Sequence, residues 1–180
     1  MRRQVQEAIE RCYGAPDAER AHEERLLSRE QMGTLADELR AALPGAIIEV
    51  SEDSSYATSY EIQIWEQPLD APRTGPIYRL VLRVSWLAPV AMTFAVRFDP
   101  GLAGSYLAEP ESEQVRDWLG QVDDFLERHD IKRLDEDELV EIAPNLDVVL
   151  LDGASHDVMH LLFAEYLSRV IGGVPPNAPT

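Results

Sequence analysis

His156 and His160 stand four residues apart with Asp157 between them, so on a helix both imidazoles would share one face. A His-Glu-x-x-His helix holds zinc with that geometry, its glutamate serving as general base. Here aspartate replaces the glutamate and shortens the reach by a methylene. The residues from Leu161 onward lack the glycine and third histidine of a metzincin, and the proline-rich tail has no acid to serve as a more distant third ligand. Glu165, five residues beyond His160, points about 140° away from it around the helix. The two histidines therefore read as the first turn of a mostly apolar helix, with hydrolysis through a His156/His160 metal site as the weaker alternative. No cofactor is expected.

Nucleophilic chemistry has less support. Ser51, Ser54, Ser55 and Ser59 lie outside any G-x-S-x-G elbow. Cys12, the single cysteine, occupies an apolar helical position suited to an inert thiol, and it precludes an intrachain disulfide. The run Gly101, Leu102, Ala103, Gly104, Ser105 lacks the lysine of a phosphate loop, and the acidic clusters lack the spacing and central glycine of a calcium loop.

Two charged groupings remain. Alternation along the central strands places Arg79, Arg83 and Arg97 with Glu61, Gln63 and Trp65 on one polar sheet face. Such a face is dressed by cross-strand ion pairs or, alternatively, forms a cationic platform for an anionic ligand with Trp65 as a stacking anchor. The second grouping is acidic. The chain carries 33 Asp and Glu against 16 Lys and Arg, a formal net of -17, and residues 109–141 alone hold 13 acids and 4 bases. About half of the imbalance thus lies in 33 residues, including Glu113, Asp117, Asp124, Asp135, Glu136 and Asp137. Carboxylates concentrated in this way steer and hold a basic protein partner. The same field repels phosphates, which argues against nucleic acid and anionic membranes.

The elements that must carry these groups follow from periodicity. Val5, Ala8, Ile9 and Cys12 mark one N-terminal helical stripe, and Met32, Leu35, Leu39 and Leu43 mark another that ends at Pro44 and Gly45. Four strands are predicted at 46–50, 56–66, 77–87 and 90–98, with connections too short for parallel crossovers. Residues 101–110 read as a loop, and 146–151 as a candidate fifth strand. Ser112 is placed to cap a helix whose buried side is Val115, Trp118, Leu119, Val122, Phe125 and Leu126. The acids at 135–138 suit the positive end of a short helix. A last helix after Ser155 is apolar around roughly two thirds of its circumference, which suits a central position or a homodimer interface.

The expected fold is α+β: N-terminal helices, a four-stranded antiparallel meander, and two or three C-terminal helices packed on one sheet face. A single domain over 1–173 and a disordered tail over 174–180 are expected, with no signal-peptide or membrane-spanning run and hence a cytoplasmic setting. In size, charge and element order the chain is similar to bacterial immunity proteins and secretion chaperones. That similarity implies a non-enzymatic protein-binding module of immunity, inhibitor or chaperone type.

Overall fold

The structure, a computed structural model, describes residues 3–13, 29–51, 59–68, 75–100, 104–107, 109–141 and 158–163. Helix α1 (Arg3–Tyr13) buries Val5, Ala8 and Ile9, and α2 (Arg29–Ala42) buries Met32, Leu35, Ala36 and Leu39. Leu43 extends the second stripe before the chain turns at Gly45, whose φ of 90° is a conformation that a Cβ would strain. Strands β1 (Ile47–Ser51), β2 (Ser59–Trp65), β3 (Ile77–Ser85), β4 (Val90–Phe98) and β5 (Gly104–Leu107) then pair in sequence order, each antiparallel to the last.

The α+β class therefore holds, but the sheet differs from the expected meander in two ways. The segment read as a loop supplies β5 as a fifth antiparallel strand. A sixth, β6 (Lys132–Arg133), lies parallel to β4 beside Val90 and Ala91, so the sheet is mixed. Parallel pairing is possible because the chain first crosses through β5 and the helix α3 (Glu113–Arg128) before returning. Lys132 N–H then donates to the Pro89 carbonyl at 3.0 Å and Leu134 N–H to that of Ala91 at 2.8 Å.

The ends of α3 are built locally. Ser112 caps it by accepting from Val115 N–H at 3.4 Å. At the other end Ile131 N–H reaches back to the Leu126 carbonyl at 2.9 Å and Asp130 N–H to that of Glu127 at 3.1 Å. With Asp130 at φ 55°, this is a Schellman stop in which aspartate holds the left-handed position. Leu126 and Ile131, the apolar pair that accompanies such a stop, are both buried in one core. Asp135 caps the short helix α4 (Glu136–Leu139) in a full capping box with Glu138. Helix α5 (Val158–Leu162) closes the described chain.

Helices do not share one face of the sheet. Leu80, Leu82, Val84, Ala91 and Ala95 face α2 and α3, and pack with Leu39, Val115, Trp118, Val122 and Phe125. Val90 and Met92, from the opposite face of β4, pack instead with Val5 and Ile9 of α1, Leu139 of α4 and Val158, Leu161 and Leu162 of α5. Ser59 hydroxyl donates to the Phe163 carbonyl at 2.8 Å, tying the end of α5 to the start of β2. The cause is in β4 itself, which is apolar on both faces and so needs cover on both. The candidate strand at 146–151 and the tail at 174–180 lie outside the described residues, as does most of the last helix. No helix among the described residues is long and apolar enough to cross a membrane.

Candidate functional site

The acidic stretch folds into two exposed runs. On α3, Glu113, Asp117 and Asp124 form a stripe with Gly120, opposite the side that buries Val115, Trp118 and Val122. On α4, Asp135, Glu136 and Asp137 make up the cap and first turn, all three exposed. Positions 113, 117, 120 and 124 fall within about 60° around the helix, which is why acids placed there never meet the core. Glu127 continues the stripe three residues after Asp124 and is also exposed. It was omitted from the expected set, although the i+3 spacing to Asp124 is a signal the sequence contains.

The bases of this stretch are committed elsewhere. Arg133 binds Asp123 through Nε at 2.6 Å and Nη2 at 2.9 Å, in a two-pronged pair that fixes β6 to α3. Lys132 Nζ, the chain's single lysine, reaches both oxygens of Glu138 at 2.5 and 2.7 Å. Arg116 donates to the carbonyls of Pro110 and Glu111, and Arg128 to that of Asp124. Among the described residues, the side chains of Glu113, Asp117, Asp124, Glu127, Glu136 and Asp137 thus have no hydrogen-bonded cation. Asp135 is different, since its carboxylate accepts from Glu138 N–H at 2.9 Å.

The arginines separate. Cross-strand pairs run Trp65 to Arg79 to Val96 to Tyr106, and Glu61 to Arg83 to Met92, which places Arg79 and Arg83 on one face with Trp65, Gln63 and Glu61 as expected. Arg97 pairs with Tyr78 and so lies on the other face. It is bound there by Asp99 at 2.9 Å and Glu111 at 2.8 Å, two carboxylates that hold its guanidinium above the ordinary arginine range. The expected three-arginine platform is thereby reduced to two residues.

Those two are linked in a chain. Arg83, buried at 2% exposure, donates through Nη2 to one oxygen of Glu61. Gln63 donates its amide N–H to the other oxygen at 2.6 Å, and its carbonyl accepts from Arg79 Nη1 at 2.9 Å. The Arg79 guanidinium lies 4.7 Å from the Trp65 ring centre and 5.1 Å from that of Phe98. Burial holds its pKa below the usual arginine value, against the pull of Glu61, Tyr106 and Glu49.

A cleft of about 160 Å³ lies between Pro44, Gly45, Glu66, Gln114 and Trp118. Its one carboxylate, Glu66, is already used: it accepts from Ser112 hydroxyl and from Tyr78 N–H at 3.2 Å, anchoring the start of α3 to the sheet. His156 lies outside the described residues, and His160 falls within α5 with its side chain outside them. Among the described residues no group of three or more His, Cys, Asp or Glu comes together as a metal site. No known protein family matches the chain, and neither a curated protein nor a solved structure matches it.

Proposed function

We propose that this chain is a non-enzymatic, cytoplasmic binding protein that presents the carboxylates of α3 and α4 to a basic partner protein, in the manner of an immunity protein, inhibitor or secretion chaperone. The observation that carries this reading is the disposition of countercharges. Each base in residues 109–141 is engaged by Asp123, by Glu138 or by backbone carbonyls, while Glu113, Asp117, Asp124, Glu136 and Asp137 stand exposed without a hydrogen-bonded cation among the described residues. Carboxylates arranged this way repel one another and are offset by a cationic surface brought from outside. They also act at range, raising the rate of encounter with a basic partner at low ionic strength.

The test is binding across a salt series. A partner captured by the wild-type chain at low salt is identified, purified and titrated against wild type and against the combined variant Asp117→Asn, Asp124→Asn, Asp135→Asn, Glu136→Gln and Asp137→Asn. Wild-type affinity should fall as salt rises, and the variant should bind at least about ten-fold more weakly at low salt with a flatter salt dependence. Equal binding by the two proteins at every salt concentration would show that the acidic runs only keep the chain soluble.

A further inference from the structure

Glu66 is a half-buried carboxylate without a countercharge. Glu61, Asp99, Asp123 and Glu138, which are also half-buried, each hold an arginine or a lysine. Glu66 instead accepts only from neutral donors among the described residues, the Ser112 hydroxyl at one oxygen and Tyr78 N–H at the other. Those bonds anchor α3 but leave the charge unpaired. A carboxylate offers about four acceptor positions, so each oxygen keeps one unused. Glu66 also lines the cleft of about 160 Å³ beside α3, which opens to solvent past the exposed Pro44, Gly45 and Gln114.

We propose that this cleft is the socket for one arginine side chain of the basic partner, with Glu66 as its acceptor. The proposal rests on the docking reading and names the residue that the partner inserts. Size sets the first limit. The volume suits a single long side chain and falls below the roughly 300 Å³ at which pockets for small-molecule ligands begin. Charge sets the second. The first turn of α3 opposes a cation with a partial charge of about half a unit. Glu66 carries a full charge, however, and the exposed Glu111 and Glu113 flank Ser112 in the same turn. The chain's own bases nearby are committed, Arg97 to Asp99 and Glu111, and Arg116 to the carbonyls of Pro110 and Glu111. The walls set the third. Trp118, 3% exposed, and Pro44 offer apolar surface to the methylene stem of an arginine. Ala46 N–H closes the turn at Gly45 on the Leu43 carbonyl at 3.1 Å, and Ser112 fixes the carboxylate, so the socket is formed before the partner arrives. Arginine is favoured over lysine because one free position on each oxygen of Glu66 matches the paired N–H groups of a guanidinium fork.

The experiment has one arm without the partner and one with it. In the first, the full chain is titrated with N-acetyl-arginine amide at constant ionic strength, and the indole N–H signal of Trp118 and the side-chain amide signals of Gln114 are followed. Both should shift in a saturable way. The citrulline analogue, which has the same shape without the charge, should leave them in place, and the lysine analogue should bind at least about three-fold more weakly. Glu66→Gln should abolish the saturable shift. In the second arm, Gln114→Trp fills the mouth of the cleft from an exposed helical position. It should weaken binding of the partner found in the salt series at least about ten-fold, as loss of a central anchor does. The socket is overturned if the arginine analogue leaves the Trp118 signal unmoved, if citrulline moves it equally, if lysine binds as tightly as arginine, or if Gln114→Trp binds the partner like wild type. Failure of the docking reading is a separate result, decided by the combined acid variant, none of whose altered residues line the cleft. Wild-type titrations and Gln114→Trp decide the matter even if Glu66→Gln, which also loosens the start of α3, does not fold.

Discussion

Arg83 and Glu61 face each other across β3 and β2, with the guanidinium 2% exposed and the carboxylate 16% exposed. An ion pair this far from water gives little net stability, because desolvating both charges offsets most of their attraction. Removing one partner is another matter, since it takes a hydrogen-bonded countercharge away from a buried charge. Glu61→Gln should therefore lower the free energy of unfolding by about 3 kcal/mol in urea titration. Combining Glu61→Leu with Arg83→Met should cost less than Glu61→Gln alone. A double variant worse than the single one would mean that the pair contributes as an attraction rather than as a mutual neutralisation.

Gly104 opens β5 where the edge strand presses on the sheet. A Cβ there would stand 2.7 Å from Phe98 Cε1 and 2.9 Å from Val96 Cγ1. Phe98 cannot retreat freely, because its ring leans on Trp65 at 5.4 Å and on the Arg79 guanidinium. Gly104→Ala should thus cost about 1–3 kcal/mol. Gly120, in the exposed stripe of α3, has open space at its Cβ position, so Gly120→Ala should gain about 1 kcal/mol from helix propensity alone. Thermal unfolding of the two variants should move in opposite directions.

Local signals were legible in the sequence, and relations between distant segments were not. Ser112 and Asp135 cap helices because side-chain oxygens two or three residues from a free N–H need no tertiary partner; Ser112 caps as read, and the acids at 135–138 open a short helix as read, with Asp135 its cap. Alternation within 77–87 and 90–98 also separated the two faces of each strand correctly. What it could not supply was the phase between strands. The natural assumption joins the bulky set Met92, Phe94, Val96 and Phe98 to the bulky set Leu80, Leu82 and Val84. The pairing instead sets Ala95, Thr93 and Ala91 against Leu80, Leu82 and Val84, and the small side chains accommodate Trp118 and Phe125 in the core on that side. Arg97 moves to the other face as a direct result, since a one-residue slip in phase inverts every side chain of a strand. Strands β5 and β6 have four and two residues, too few for any period to register.

Tyr78 should show itself at alkaline pH. Its hydroxyl donates to Glu111 at 3.1 Å, and burial first, then that hydrogen bond, raise its pKa above the usual 10.0, with Arg97 pulling the other way. A phenol whose pKa is higher in the folded chain stabilises the fold fully below the unfolded value near pH 10. That contribution is lost as pH rises through the raised folded value. Between pH 9 and pH 12 wild type should lose more stability than Tyr78→Phe in parallel denaturant titrations. Absorbance at 295 nm should show that the phenol missing from Tyr78→Phe is one that ionises late. An equal alkaline loss in the two proteins would rule out the effect.

Asp135 lies in the acidic run and in the fold at once, which lets charge and structure be separated at one position. Its carboxylate accepts from Glu138 N–H at 2.9 Å, and Glu138 returns the bond by accepting from Asp135 N–H at 3.2 Å while also holding Lys132. Asparagine keeps a capping oxygen without the charge, and alanine keeps neither. Asp135→Asn should leave stability within about 0.5 kcal/mol of wild type, whereas Asp135→Ala should lose about 1 kcal/mol. If the carboxylate meets a basic partner, both variants should weaken binding by the same factor despite their different stabilities. Were only the alanine variant to bind more weakly, the contribution of Asp135 would be to the shape of α4, and the docking charge would have to come from Glu136, Asp137 and the stripe on α3.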